Sequence, residues 1–458
     1  MEEPDEMARS VSDRSNLIIF FTDQQRWDTM GLHGNPMDIT PNLDRMALRG
    51  TFVANAFTAQ PLCGPARSCL LTGQYATATG CWRNGLALPA EAGALAHWFR
   101  EAGYETGFIG KWHLAPQSRD QIVWEQQRGG YQFWLGANVI EHVSELYRTV
   151  VFDNDNRTVR LPGYRVDALT DAAIRFIDQR QDRPFHLFLS FSAPHHHNRL
   201  DDYPPPDGYR ERYTRNYWVP PDLAALGGSA HQHLPGYYGM VKRLDEALGR
   251  LLDALKSLDL LQRTIVLFAS DHGCHFKTRN AEYKRSCHES SLRIPMALQG
   301  PGFDGGGRIE PLVSLVDVAP TLLEAAGLPI PPAIQGRSFV RLVRGNAEEW
   351  PEEIFAQISE AQVGRAIRTR RWKYGVDAPG MRGPASDRYV EQFLYDLECD
   401  PYELNNLAGL KSHAEVAAIL RQRLVRRMTE AGEPAPAIDP APARPSSHRC
   451  VHPDEARA

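Results

Sequence analysis

With 458 residues, 42% of them hydrophobic and 23% charged, the chain has the length and balance of a globular protein built on a sizeable core, which excludes the fibrous and intrinsically disordered classes. Lys+Arg 51 against Asp+Glu 56 leaves a net charge of −5, so the bulk charge calls for neither nucleic acid nor an anionic membrane. Mean hydropathy is −0.42, and no apolar run approaches the roughly 18 residues of a bilayer span.

The first stretch, residues 1–15, carries Glu2, Glu3, Asp5 and Glu6 where a secretory leader has a basic and then an apolar region, and it reads as a cytoplasmic tail. Leu17 to Phe21 is a short apolar run of the kind expected for a buried parallel strand, and Asp23 and Gln24 follow it at once. A helix is expected over Pro41 to Arg49. At Cys63-Gly64-Pro65-Ala66-Arg67, Pro65 suits a first helical turn, so Cys63 stands near a helix N-terminus, where free N–H groups favour anions. Arg67, one turn on, could reach back to grip an anionic oxygen. After a helix over Gly93 to Ala102, the run Gly107 to Ile109 leads into Lys111 and His113. After another over Asp167 to Gln179, Phe185 to Phe191 leads into Pro194 and His195. Tyr203 to Pro221, rich in proline and aromatics, is expected to be irregular. A helix over Gly239 to Ser257 precedes Thr264 to Ala269, which leads into Asp271 and His272. Leu312 to Ala326 reads as a helix closed by Gly327-Leu328-Pro329.

Strands alternating with helices mean an α/β fold, and ligands of such sheets bind beyond the carboxyl ends of the strands, where these polar residues converge. The expected organisation is a large mixed, mostly parallel sheet sandwiched by helices over 16–348. A small α+β subdomain follows over 349–432, with short alternating segments (Ala366 to Tyr374, Phe393 to Leu397) and a helix over Ala414 to Ala431. The Pro/Ala-rich tail 433–458 is excluded from the fold. The seven scattered cysteines form no CxxC pair, so neither a disulfide framework nor a cysteine zinc knot is expected, and three consecutive histidines, 195–197, diverge too far in an extended segment to share one ion.

The run Leu62-Cys63-Gly64-Pro65-Ala66-Arg67-Ser68-Cys69-Leu70-Leu71-Thr72-Gly73 resembles the signature of the formylglycine-dependent sulfatases of the alkaline phosphatase superfamily, matching every fixed position. Gly110-Lys111-Trp112-His113-Leu114 is similar to a second segment of that family, and Pro194-His195, Asp271-His272-Gly273, Val316 to Leu322 and Asp400 to Leu407 extend the likeness over about Asn16 to Leu407. The resemblance implies an alkaline phosphatase-like fold and a sulfuric ester hydrolase. It implies that a formylglycine-generating maturation enzyme converts Cys63 to formylglycine (3-oxoalanine), whose hydrate attacks sulfur, and that Arg67, Lys111 and Lys284 balance sulfate charge. His113 would assist release of sulfate and His195 protonate the leaving oxygen. Asp23, Gln24, Asp271 and His272, with Cys63, would hold one divalent metal, calcium first and magnesium or manganese next, although Gln24 and His272 depart from the commonest ligand pattern. The expected substrate is a sulfate monoester of a carbohydrate or an aryl alcohol. Two alternatives stand beside it: a formylglycine-dependent phosphonate monoester hydrolase or phosphodiesterase, and an unmatured sulfoglycan-binding protein.

Overall fold

Alternate residues of the first strand, Asn16–Thr22, face two different cores. Ile18 and Phe20 pack with Leu169 and Phe176 of the helix Arg165–Asp178 and with Leu244 and Leu251 of Ala230–Ser257. Leu17, Ile19 and Phe21 point the other way, to Leu70 and Leu71 of Cys63–Thr72 and to Leu322 and Leu323 of Val318–Ala325. A strand buried on both faces must be apolar throughout, which is why the sequence shows a continuous run and not an alternation. Each such Leu, Ile or Phe contributes about 1.5–3 kcal/mol by leaving water.

The computed structural model describes residues 14–445 and 453–457, so the N-terminal tail up to residue 13 and Cys450 lie outside the described residues. The main sheet has ten strands. At its centre Thr264–Ser270, Asn16–Thr22, Phe185–Ser190, Glu105–Lys111 and Phe133–Ala137 lie side by side and parallel. Antiparallel neighbours close both flanks, Met296–Gln299 beyond Thr264–Ser270, and Arg148–Phe152 then Thr158–Pro162 beyond Phe133–Ala137. The sheet is mixed and mostly parallel, with helices on both faces, as expected. The parallel strands end together at Thr22, Lys111, Ser190 and Ser270, and that common end carries the site.

Local details differ from expectation where a proline or a long-range contact decides. The helix expected from Gly239 begins at Ala230 and runs through Pro235, and Tyr203 to Pro221 contains a short helix, Tyr209–Thr214. Leu312 to Ala326 is helical only from Leu315, because Val313–Ser314 pairs with Ala56–Phe57 in a second, three-stranded sheet.

The C-terminal strands Glu353–Ile358, Gly364–Thr369, Trp372–Asp377 and Arg388–Asp396 form an antiparallel sheet backed by the helix Ala414–Glu430. The segment expected as one unit over Ala366 to Tyr374 is two strands joined by a turn. Exclusion of the tail from the fold is corrected among the described residues: Ala437–Asp439 adds a parallel fifth strand, the Glu433 carboxylate meets Arg365 at 2.8 Å, and the Trp372 indole donates to the Glu455 carbonyl at 2.6 Å. Backbone pairing and charge hold this segment, and composition, which registers apolar burial, does not report them.

A buried ion network joins the two parts. Lys373, 0% exposed, lies 2.8 Å from Glu289 and 3.0 Å from Glu403, and it donates to the Cys287 carbonyl at 2.8 Å. Arg279 donates to the Tyr402 and Glu403 carbonyls at 2.8 and 2.9 Å. The C-terminal subdomain thereby grips the segment 275–293, which carries Lys284. Lys373→Met would leave Glu403 buried without its ammonium partner and Glu289 with Arg368 alone at 3.4 Å, and is expected to cost about 3–5 kcal/mol of stability. Chemical denaturation checks this, and an unchanged unfolding midpoint would refute it.

Candidate active site

Cys63 opens the helix Cys63–Thr72 and is 1% exposed. Its Sγ lies 2.8 Å from Lys284 Nζ, 3.4 Å from His272 Nε2 and 3.7 Å from Asp23 Oδ1. Burial alone would raise this thiol, but Lys284, Lys111 and His272 outweigh it and hold the group well below the usual thiol range. The thiol sits beside cations at the N-terminus of a helix.

Beside it the ligand atoms of Asp23, Asp271 and His272 all lie, with Sγ, within 4.8 Å of one another, and all four residues are buried. Burial, and then the neighbouring Asp23 charge, push the Asp271 carboxyl up to about 7. Two crowded carboxylates suit a divalent cation. His272 Nδ1 donates to the Gly273 carbonyl at 2.9 Å, which turns the lone pair of Nε2 toward the cluster. The residues present therefore fit a metal. Gly273 has no substitute here, since a Cβ would stand 2.2 Å from the Ser290 carbonyl oxygen.

Two expected roles are revised by geometry. Arg67 does not face the cleft: its fully buried guanidinium lies 3.0 Å from Asp23 Oδ2 and 3.4 Å from Asp271 Oδ2, and donates to Lys111 O at 3.0 Å and Ser190 Oγ at 2.6 Å. It positions the carboxylates from below. Gln24 turns its amide oxygen to the His196 N–H at 2.9 Å, while its own backbone N–H donates to Asp271 Oδ1 at 2.9 Å. Its side chain braces the His195 loop, and only its backbone reaches the carboxylate.

Lys111, at the end of Glu105–Lys111, places Nζ 3.0 Å from Asp23 Oδ2 and 2.7 Å from Glu141 Oε1. Gly110 lets the strand approach Phe185–Ser190 closely, at φ +114 and with any Cβ only 1.9 Å from the Ser190 carbonyl oxygen. His113, itself at φ 61, hydrogen-bonds Cys63, and burial keeps its imidazole neutral. Nδ1 of His195 donates to the His196 carbonyl at 2.6 Å, which leaves Nε2 to accept from Lys284 Nζ at 2.9 Å. Above them opens a cleft of about 500 Å³ lined by Cys63, Lys111, His113, His195 and Lys284.

A family model described as Sulfatase matches residues 15–328, about two-thirds of the chain, and one described as N-sulphoglucosamine sulphohydrolase, C-terminal, matches 282–430. The chain belongs to the sulfatase family. It is a sulfuric ester hydrolase. Among similar proteins, the ulvan-active sulfatase of Formosa agariphila is 29% identical, covering 92% of this chain and 82% of that one. The N-acetylglucosamine-6-O-sulfatase of Bacteroides thetaiotaomicron is 24% identical over 90% of this chain and 86% of its own. The fold is also that of the phosphonate monoester hydrolase of Agrobacterium radiobacter, with a TM-score of 0.71 at 22% identity, covering 91% and 96% of the two chains.

One residue of this sulfatase's site went unread in the sequence. Burial would raise the Glu141 carboxyl, but Lys111 and His195 hold it at about 2, so a permanent negative charge anchors Lys111 in the cleft. Glu141 follows no long apolar run and stands in no motif, so its only signal is its contact with Lys111. The cations Arg279 and Arg293, which flank Lys284 in sequence, are spent on structure. Arg279 binds the C-terminal carbonyls, while Arg293 donates to Ala54 O at 2.7 Å and stacks on Trp27 at 4.0 Å.

Proposed function

We propose that this sulfatase hydrolyses a carbohydrate sulfate monoester with Cys63, matured to formylglycine, as nucleophile, and one divalent cation, calcium first, at Asp23, Asp271 and His272. The observation that carries the reading is the position of Cys63 Sγ, at a helix N-terminus, between Lys284 and the acidic cluster and beneath an open cleft. The carbohydrate assignment is supported by the ulvan- and N-acetylglucosamine-directed relatives. A bound cation would act as a Lewis acid, lowering the cost of charge on the nucleophile and on sulfate. The hydrated aldehyde would supply one hydroxyl to attack sulfur and a second to expel sulfate afterwards.

The chain's own side chains do the rest. Lys111 and Lys284 present ammonium groups to sulfate oxygens, preorganised by Glu141 and by the His195 ring. His113, neutral and in contact with residue 63, accepts a proton when the hydrate collapses. Once sulfate has drawn Lys284 away, the freed Nε2 of His195 takes up a proton from solvent and passes it to the departing alcohol. Replacement by Asn is then expected to lower kcat by about 10²–10⁴-fold on a sugar sulfate and far less on the sulfate of an acidic phenol, which leaves unassisted. Equal losses on both substrates would refute this role.

The test of the nucleophile is mass spectrometry of the tryptic peptide Gly50 to Arg67 from protein produced with a formylglycine-generating enzyme. Replacement of the Cys63 sulfur by an aldehyde oxygen supports the reading; an intact thiol, where a control sulfatase is converted, turns it toward a binding protein. Treatment with a chelator is expected to abolish turnover, and calcium to restore it. Activity that survives chelation would remove the metal from the scheme.

A further inference from the structure

A second set of ligating groups meets in the wall of the same cleft. His196 lies on the loop after Phe185–Ser190, Asp201 is five residues further on, and His233 is in the first turn of Ala230–Ser257. One ligand atom from each lies within 4.8 Å of the others. Nε2 of His196 stands 3.1 Å from Asp201 Oδ1. The other ring nitrogen, Nδ1, is 3.1 Å from the amide oxygen of Asn198, an acceptor, so the ring proton sits on Nδ1 and Nε2 carries a lone pair. That lone pair accepts from the Tyr283 hydroxyl at 3.1 Å and also faces the Asp201 carboxylate oxygen, a second acceptor. His233 is 1% exposed, and its Nδ1 is buried without a hydrogen bond, 3.7 Å from Asp202 Oδ1.

An imidazole nitrogen crowded against a carboxylate oxygen, beside a second buried imidazole, is a donor set that a cation satisfies. We propose that His196, Asp201 and His233 form a site for Zn²⁺ or a similar borderline divalent ion, separate from the cluster around Cys63. Two imidazoles and one carboxylate are zinc ligands, and tetrahedral bonds of about 2.0–2.1 Å set donors about 3.3 Å apart. The pair His196–Asp201 already has that spacing; the His196 and His233 rings, 5.6 Å apart at their centroids, close on the ion by rotation, and Asp201, whose side chain is 66% exposed, follows them. Lys277 Nζ, 3.9 Å from Asp201, competes for the carboxylate, but its side chain is 38% exposed and free to swing out. His196 and Asp201 both line the cleft, so the ion would pin the 196–201 loop to the helix at 233 and leave a fourth position for water or a substrate oxygen.

The experiment is a Zn²⁺ titration of the full chain against a chromogenic chelator, in the Cys63→Ala background that removes the thiolate from the first cluster, with calcium in excess. One equivalent of tightly held Zn²⁺ is expected. Asp201→Ala and His233→Ala should each weaken it by about 10–100-fold or more, while thermal unfolding in calcium stays put for Asp201→Ala. With Co²⁺ in place of Zn²⁺, a tetrahedral visible band should develop and vanish in both variants. Absence of the zinc equivalent, or its persistence unchanged in Asp201→Ala and His233→Ala, overturns the proposal.

Discussion

Cys63→Ala is expected to lower turnover by at least about 10⁴-fold, because it removes the proposed nucleophile while leaving the positively charged binding groups intact. Cys63→Ser is the more informative variant. Its hydroxyl occupies the same place beside Lys284 and Asp23, so it can still be sulfated, but a serine ester has no second hydroxyl with which to expel sulfate. Transfer should stop after one event, leaving one sulfate covalently held per protein. Intact-protein mass spectrometry after incubation with substrate reads this directly. A Cys63→Ala protein that keeps activity within tenfold of the matured enzyme would refute the assignment of the nucleophile.

Arg67→Met is the second large effect, and it acts on stability before chemistry. The guanidinium sits at 0% exposure against Asp23 and Asp271 and satisfies Lys111 O and Ser190 Oγ. Its removal leaves Asp23 with Lys111 alone and takes the guanidinium from Asp271 in a dry site, at a cost of about 3–5 kcal/mol. Denaturant unfolding measured in chelator and again in saturating calcium separates the contributions. The loss should be larger in chelator, since a bound cation takes over part of the neutralisation. An unfolding midpoint equal to that of the parent protein in chelator would show that Arg67 does not hold the carboxylates.

Most of the fold's centre was readable because strands buried on both faces leave continuous apolar runs, and each run here is followed within a few residues by the polar group it delivers. Leu17 to Phe21 announces Asp23, and Thr264 to Ala269 announces Asp271, with no knowledge of what pairs with what. Arg67 shows where this stops. Helical spacing allows it to reach back to Cys63, and only the long-range arrival of Asp23 and Asp271 beneath the helix settles where it goes. Gln24 is similar, because its amide is claimed by His196, 172 residues away. Glu141 works by contact with Lys111 alone. The strand before it, Phe133–Ala137, has a glycine where an apolar residue would have marked the run, because a Cβ at Gly136 would strike Phe108 at 2.7 Å.

The fifth strand of the C-terminal sheet also guards against self-association. Arg388–Asp396 would otherwise present unpaired backbone groups at a sheet margin, the template on which a second molecule adds a strand. Ala437–Asp439 occupies the first part of that margin, fastened by Arg388 to Asp439 at 2.6 Å, and Asn406 and Leu407 occupy the next, bonding to Gln392 and Leu394. A chain shortened to residue 436 would keep its catalytic groups yet open this margin, so its failing would show first as concentration-dependent oligomers and only later as lost activity.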